Sequence, residues 1–68
     1  MTFKIKQRNE NAGQYGVTPF DDESGESLSD LFGTKIFKTL DQALAYAETQ
    51  VSKIRAMGDE AAFLIVAN

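Results

Sequence analysis

Five carboxylates, Asp21, Asp22, Glu23, Glu26 and Asp30, fall within a ten-residue stretch that holds no basic side chain. Paired carboxylates can do general acid–base work when burial or a neighbouring charge drives their pKa values apart. Here the surrounding sequence, DDESGES, is polar and glycine-containing, so it reads as a solvated loop with no apolar pocket to shift a pKa. Dense oxygen ligands also suit calcium, but the spacing of an EF-hand loop and its flanking helices are absent. What remains is electrostatic use. An acidic loop can occupy a basic surface on a partner, including one meant for nucleic-acid phosphate.

Other routes to chemistry are poorly supplied. The chain has no cysteine and no histidine, which removes disulfides, the usual zinc and iron ligand sets and the common nucleophile–base pairs. Serines and lysines are present, but no spacing favours a serine–lysine dyad. Gly13, Gly16, Gly25, Gly33 and Gly58 form no phosphate-binding fingerprint and read as turns and caps. The expectation is a non-enzymatic protein with no catalytic residue, cofactor or metal. Lys4, Lys6 and Arg8 cluster near the N-terminus without forming a continuous basic stripe. Phe3, Tyr15, Phe37 and Phe63 read as core. Direct nucleic-acid binding is therefore not expected.

A chain of 68 residues with formal net charge −3 and 43% hydrophobic content is one small domain whose stability rests on packing, with or without self-association. The opening residues lack a signal-peptide pattern, and the longest apolar run, AAFLIVA, is too short to span a bilayer. The expected location is the cytoplasm, that of a host cell if the gene is phage-borne.

The elements follow from periodicity. TFKIKQ (2–7) alternates as a half-buried strand, with Phe3 and Ile5 on one face and Lys4 and Lys6 on the other. RNENAGQ reads as a hairpin loop, with turn chemistry at Asn11 and Gly13. QYGVTP (14–19) reads as a second strand that Pro19 ends or confines to an edge. Residues 20–34 form an acidic excursion. Within it, SLSDLFG can make one helical turn, with Ser27 as cap and Gly33 as stop. KIFK (35–38) is extended.

The main helix spans about residues 40–57. Thr39 and Gln42 make a capping box, Asp41 sits in the first turn, and Gly58 suits the left-handed residue that follows a helix. Leu40, Ala43, Leu44, Ala47, Val51 and Ile54 line one stripe. Tyr46, Gln50, Lys53 and Met57 form a second stripe, which reads first as the ordinary boundary of the apolar face and second as a protein-binding flank, since aromatic residues and methionine are enriched at interfaces. The closing run, 61–67, is apolar at nearly every position, the pattern of a central strand covered on both faces. Phe63 and Ile65 can face the helix, and Leu64 and Val66 then face away. Two readings account for that second face. Phe20, Leu28, Leu31 and Phe32 fold back over it, or part of it is left for a partner or a second copy.

The segment FKTLDQALAYAETQ resembles a unit of small phage and bacterial strand–strand–helix–strand proteins, among them the T7-type phage inhibitors of bacterial RNA polymerase. Thr39, Leu40, Ala43, Leu44 and Ala47 carry the resemblance. It implies a host-directed inhibitor that binds a protein through acidic and sheet-edge surfaces, and it assigns no functional residue here.

The expectation is thus an α+β domain: a mainly antiparallel sheet of three or four strands with one long helix on one face. Its partner is another protein, met through Asp21, Asp22, Glu23, Glu26 and Asp30. The alternative is a homo-oligomeric structural or accessory domain. Leu64, Val66, Tyr46 and Met57 are its candidate interface residues.

Overall fold

The computed structural model describes residues 1–9 and 13–66. Six elements follow one another: β1 (Thr2–Asn9), β2 (Gln14–Phe20), α1 (Ser29–Phe32), β3 (Lys35–Phe37), α2 (Leu40–Ala56) and β4 (Ala62–Val66). The strands form one mixed sheet in the order β3-β2-β1-β4. β1 pairs antiparallel with β2, β2 antiparallel with β3, and β1 parallel with β4. This is the expected α+β fold, with the KIFK segment as its fourth strand.

Alternation along β1 places Phe3 and Ile5 under α2, in register with Phe63 and Ile65 of β4 and with Pro19 and Val17 of β2. Ala43, Ala47 and Val51 of α2 close on this face, and together with Phe3, Ile5, Val17 and Ala61 they form the buried core. The two alanines matter because a side chain of one carbon lets a helix approach a sheet closely. Around the rim, Phe37 and Tyr46 pack ring against ring at a centroid distance of 5.2 Å.

Both ends of α2 are held as the residue types require. The Gln42 N–H donates to Thr39 Oγ1 at 3.2 Å, the hydroxyl half of the expected capping box. At the other end Gly58 takes φ +90°. Its N–H donates to the Arg55 carbonyl at 3.0 Å, and that of Asp59 donates to the Ile54 carbonyl at 3.2 Å. That pair of bonds is the Schellman arrangement, which satisfies carbonyls the helix leaves open. The Arg55 side chain then donates to the Ala61 carbonyl at 3.0 Å and fixes the approach to β4.

Several expectations need correction. β4 is not a central strand: it pairs with β1 alone and lies at a sheet edge. Among the described residues no other strand pairs with its outer side, so its apolar composition and its place in the sheet disagree. Pro19 neither ends β2, which runs on through Phe20, nor marks an edge strand, since β2 lies between β3 and β1. β3 pairs with β2 only over residues 15–17, so the missing Pro19 N–H takes no bond from the β3 ladder, and the Pro19 carbonyl accepts the Leu28 N–H instead. α1 begins at Ser29 with Leu28, not Ser27, at its cap position. Ser27 Oγ still accepts the Ser29 N–H at 3.1 Å. The turn residue Asn11, the side chain of Arg8 and the final position of the apolar run, Ala67, lie outside the described residues.

Candidate binding surface

The acidic excursion is an ordered structure built on its own backbone. The Asp21 N–H donates to the Glu26 carbonyl at 2.9 Å, and the Gly25 N–H donates to the Asp21 carbonyl at 2.8 Å. Phe20 and Ser27 bridge, and the Leu28 N–H donates to the Pro19 carbonyl at 2.8 Å. These bonds extend β2 into a tight return that delivers α1 to the helix side of the sheet.

The five carboxylates have different surroundings. Asp21 accepts the Glu23 N–H at 2.8 Å, so its carboxylate shapes the turn. Asp22 accepts from the amino group of Met1 at 2.6 Å and from the Thr2 hydroxyl. Hydrogen bonding to the Met1 ammonium, followed by that to Thr2, holds the Asp22 carboxyl below the usual aspartate range. Asp22 thus ties the excursion to the start of β1, while Asp21 works within the turn itself. Glu23, Glu26 and Asp30 are exposed.

Asp21, Asp22 and Glu23 meet two carboxylates that the sequence reading passed over. Asp59 and Glu60 follow the Gly58 turn and lie across a shallow depression of about 710 Å³ from the acidic turn. Its floor is apolar, made by Met1, Leu28, Ile54 and Met57. Glu26 and Asp30 do not line it. The signal for Asp59 and Glu60 was present in the sequence only as two acids after a helix stop. What unites them with Asp21 is the parallel return of β4 alongside β1.

The depression opens onto an apolar groove of about 370 Å³ between α2 and α1. Met1, Ile54 and Met57 line both. Along α2 the wall is Tyr46, Gln50, Ile54 and Met57; Val17 and Pro19 form the floor, and Phe32 stands opposite. Of the flank expected from helical spacing, Tyr46, Gln50 and Met57 are here, while Lys53 is exposed and Ile54 takes its place. Exposure is high for residues of this size: Leu31 77%, Met57 72% and Phe32 63%.

This arrangement overturns the reading in which the excursion folds back over the second sheet face. Leu28 and Phe32 go to the α2 side, because the return after Phe20 keeps α1 beside Pro19 instead of crossing β3. The opposite sheet face is left with Lys4, Thr18, Phe20, Ile36, Leu64 and Val66 in register. Lys4 Nζ sits 4.2 Å from the Phe20 ring centroid, a cation–π contact within the sheet. The four residues named as interface candidates are therefore not brought together. Leu64 and Val66 belong to the open face, and Tyr46 and Met57 to the groove on the other side.

Among the described residues no group of three or more acidic side chains has the geometry of a metal site, and no helix is long and apolar enough to cross a membrane. No family model matches the chain, and no curated protein or solved structure matches it. The helix residues that carry the phage-inhibitor resemblance serve as cap and packing in this structure: Thr39 caps α2, Ala43 and Ala47 are buried, and Leu40 and Leu44 pack at the rim.

Proposed function

We propose that this protein is a small non-enzymatic binding module whose ligand is a basic, partly apolar segment of another protein. The observation that carries the reading is the continuity between acidic depression and apolar groove, joined through Met1, Ile54 and Met57. A segment with a cationic end and an apolar end would find both halves of its surface in one place. Glu23, Asp59 and Glu60 supply charge at the rim, which speeds and orients encounter, while Phe32 and Met57 supply apolar area that water loses on binding. Asp21 and Asp22 hold the turn that presents Glu23.

An inhibitory role follows if the basic segment is one with which a host protein holds nucleic-acid phosphate, because an acidic module bound there excludes the phosphate. The resemblance to phage inhibitors supports that extension, and with it a cytoplasmic, host-cell location.

The test is affinity capture from the native host with three proteins: the natural chain, the triple variant Glu23→Lys/Asp59→Lys/Glu60→Lys, and Glu26→Lys/Asp30→Lys. The triple variant is expected to lose the captured protein, and the double variant to retain it. Retention by the triple variant would place the contact elsewhere.

A further inference from the structure

β4 carries a contradiction between its composition and its place in the sheet. Ala62–Val66 reads AFLIV, with no charge, proline or bulge, yet it is an edge strand. Its large exposed apolar side chains are Ile65 at 56% on the helix side and Leu64 at 43% on the open side. The other edge is managed differently. β3 is three residues long, opens on Lys35 and is followed by Lys38, and short lysine-flanked edges are the common defence against strand pairing.

We infer that β4 pairs with β4 of a second copy, antiparallel about a two-fold axis through Leu64. The backbone sets the register. The Ala62 N–H donates to the Met1 carbonyl at 3.1 Å, so Ala62, Leu64 and Val66 turn their backbone groups toward β1. By alternation Phe63 and Ile65 turn theirs outward. A two-fold axis at Leu64 sets Phe63 of one copy opposite Ile65 of the other, and each such pair exchanges both of its ladder bonds. It also sets Leu64 opposite Leu64 in the closely spaced, non-hydrogen-bonded position, and Ala62 opposite Val66. Every facing pair is apolar, and the interface is self-complementary, as two-fold symmetry demands.

Charge permits this contact. On the open face the Lys4 side chains of the two copies fall three strand spacings apart, roughly 14 Å, beyond the Debye length of about 8 Å at physiological salt. The pairing turns β4 into a central strand of a continuous sheet whose two outer ends are the lysine-flanked β3 strands. That is the position its composition describes.

A contact built on one short strand pair is smaller than the roughly 1,200 Å² of a standard interface, so dimerisation should vary with concentration over about 1–500 μM. Sedimentation of the full chain across that range is expected to move from monomer to dimer. Ile65→Lys should stay monomeric while keeping the far-ultraviolet circular dichroism of the natural chain. Because the chain has no cysteine, Leu64→Cys and Ile36→Cys each carry a single thiol, on the two opposite edge strands. Ile36 is exposed to the same 43% as Leu64. Under diamide oxidation Leu64→Cys should form a disulfide-linked dimer at least tenfold faster. Monomeric sedimentation throughout the range overturns the proposal, including the case where β4 receives a strand from a different protein. A dimer in which the two cysteine variants crosslink at equal rates overturns it as well.

Discussion

Under α2 the sheet presents Phe3, Ile5 and Val17, each at most 5% exposed, while the opposite face presents Ile36 and Leu64 at 43%. β1 marks the difference in its own pattern, Phe3 and Ile5 against Lys4 and Lys6, but β4 carries large apolar residues on both faces, and there the difference does not lie in local pattern. It lies in the number of layers. One helix of 17 residues closes the middle of one face, leaving only its margin at Ile65 open, and the excursion that had the length to close the other is bent back to the helix side by the Asp21–Glu26 turn. The covered face therefore carries the stability of the fold, and the uncovered surfaces are available for contact.

The strongest way to break that comparison is to truncate matched isoleucines. Ile5 is fully buried, and Ile5→Ala should cost about 2–5 kcal/mol from lost burial and the cavity left behind. Ile36→Ala on the open face should cost less than about 1 kcal/mol. Urea unfolding of both variants checks this; equal losses would mean that the open face is not open in solution.

A middle-sized effect is expected at the helix end that carries the chain from covered face to edge strand. Gly58 lies at φ +90°, and a Cβ there would meet nothing within 4 Å. The penalty for Gly58→Ala is then backbone strain alone, about 1–2 kcal/mol, read as a lowered urea midpoint with unchanged slope. A neutral result would show that the Schellman turn does not hold α2 in place.

The smallest effect is the pH dependence of the tie between β1 and the acidic turn. Asp22 has its carboxyl held below the ordinary value by the Met1 ammonium and Thr2. A depressed folded-state pKa contributes stability that is present above the unfolded value of about 3.9 and is lost as pH falls through the folded one. Asp22→Asn should flatten the acid limb of the thermal midpoint between pH 5 and the folded pKa, with little change at pH 7 beyond the loss of the tie. An unaltered acid limb would assign that limb to other carboxylates.

Local features were legible. Thr39, Asp41 and Gly58 announced the ends of α2 because capping depends on a few adjacent residues, and Phe3 and Ile5 announced a covered face because strand alternation is a two-residue period. The candidate site was legible only in part. Asp21, Asp22 and Glu23 could be named from their density, and Tyr46, Gln50 and Met57 from helical spacing. Phe32 and Ile54 were visible as apolar residues, but nothing local placed them across a groove from each other. Asp59 and Glu60 lie more than thirty positions from Asp22 and meet it only through the return of β4 beside β1.

By itself, then, the sequence determined the elements, their ends and their apolar sides, since caps, periods and turn glycines act over a few bonds. The tertiary structure decided which strand became an edge, to which side the acidic excursion turned and which carboxylates share a surface. Those outcomes depend on contacts between residues far apart in the chain. The apolar run AFLIV reads as a central strand until its neighbours place it at an edge.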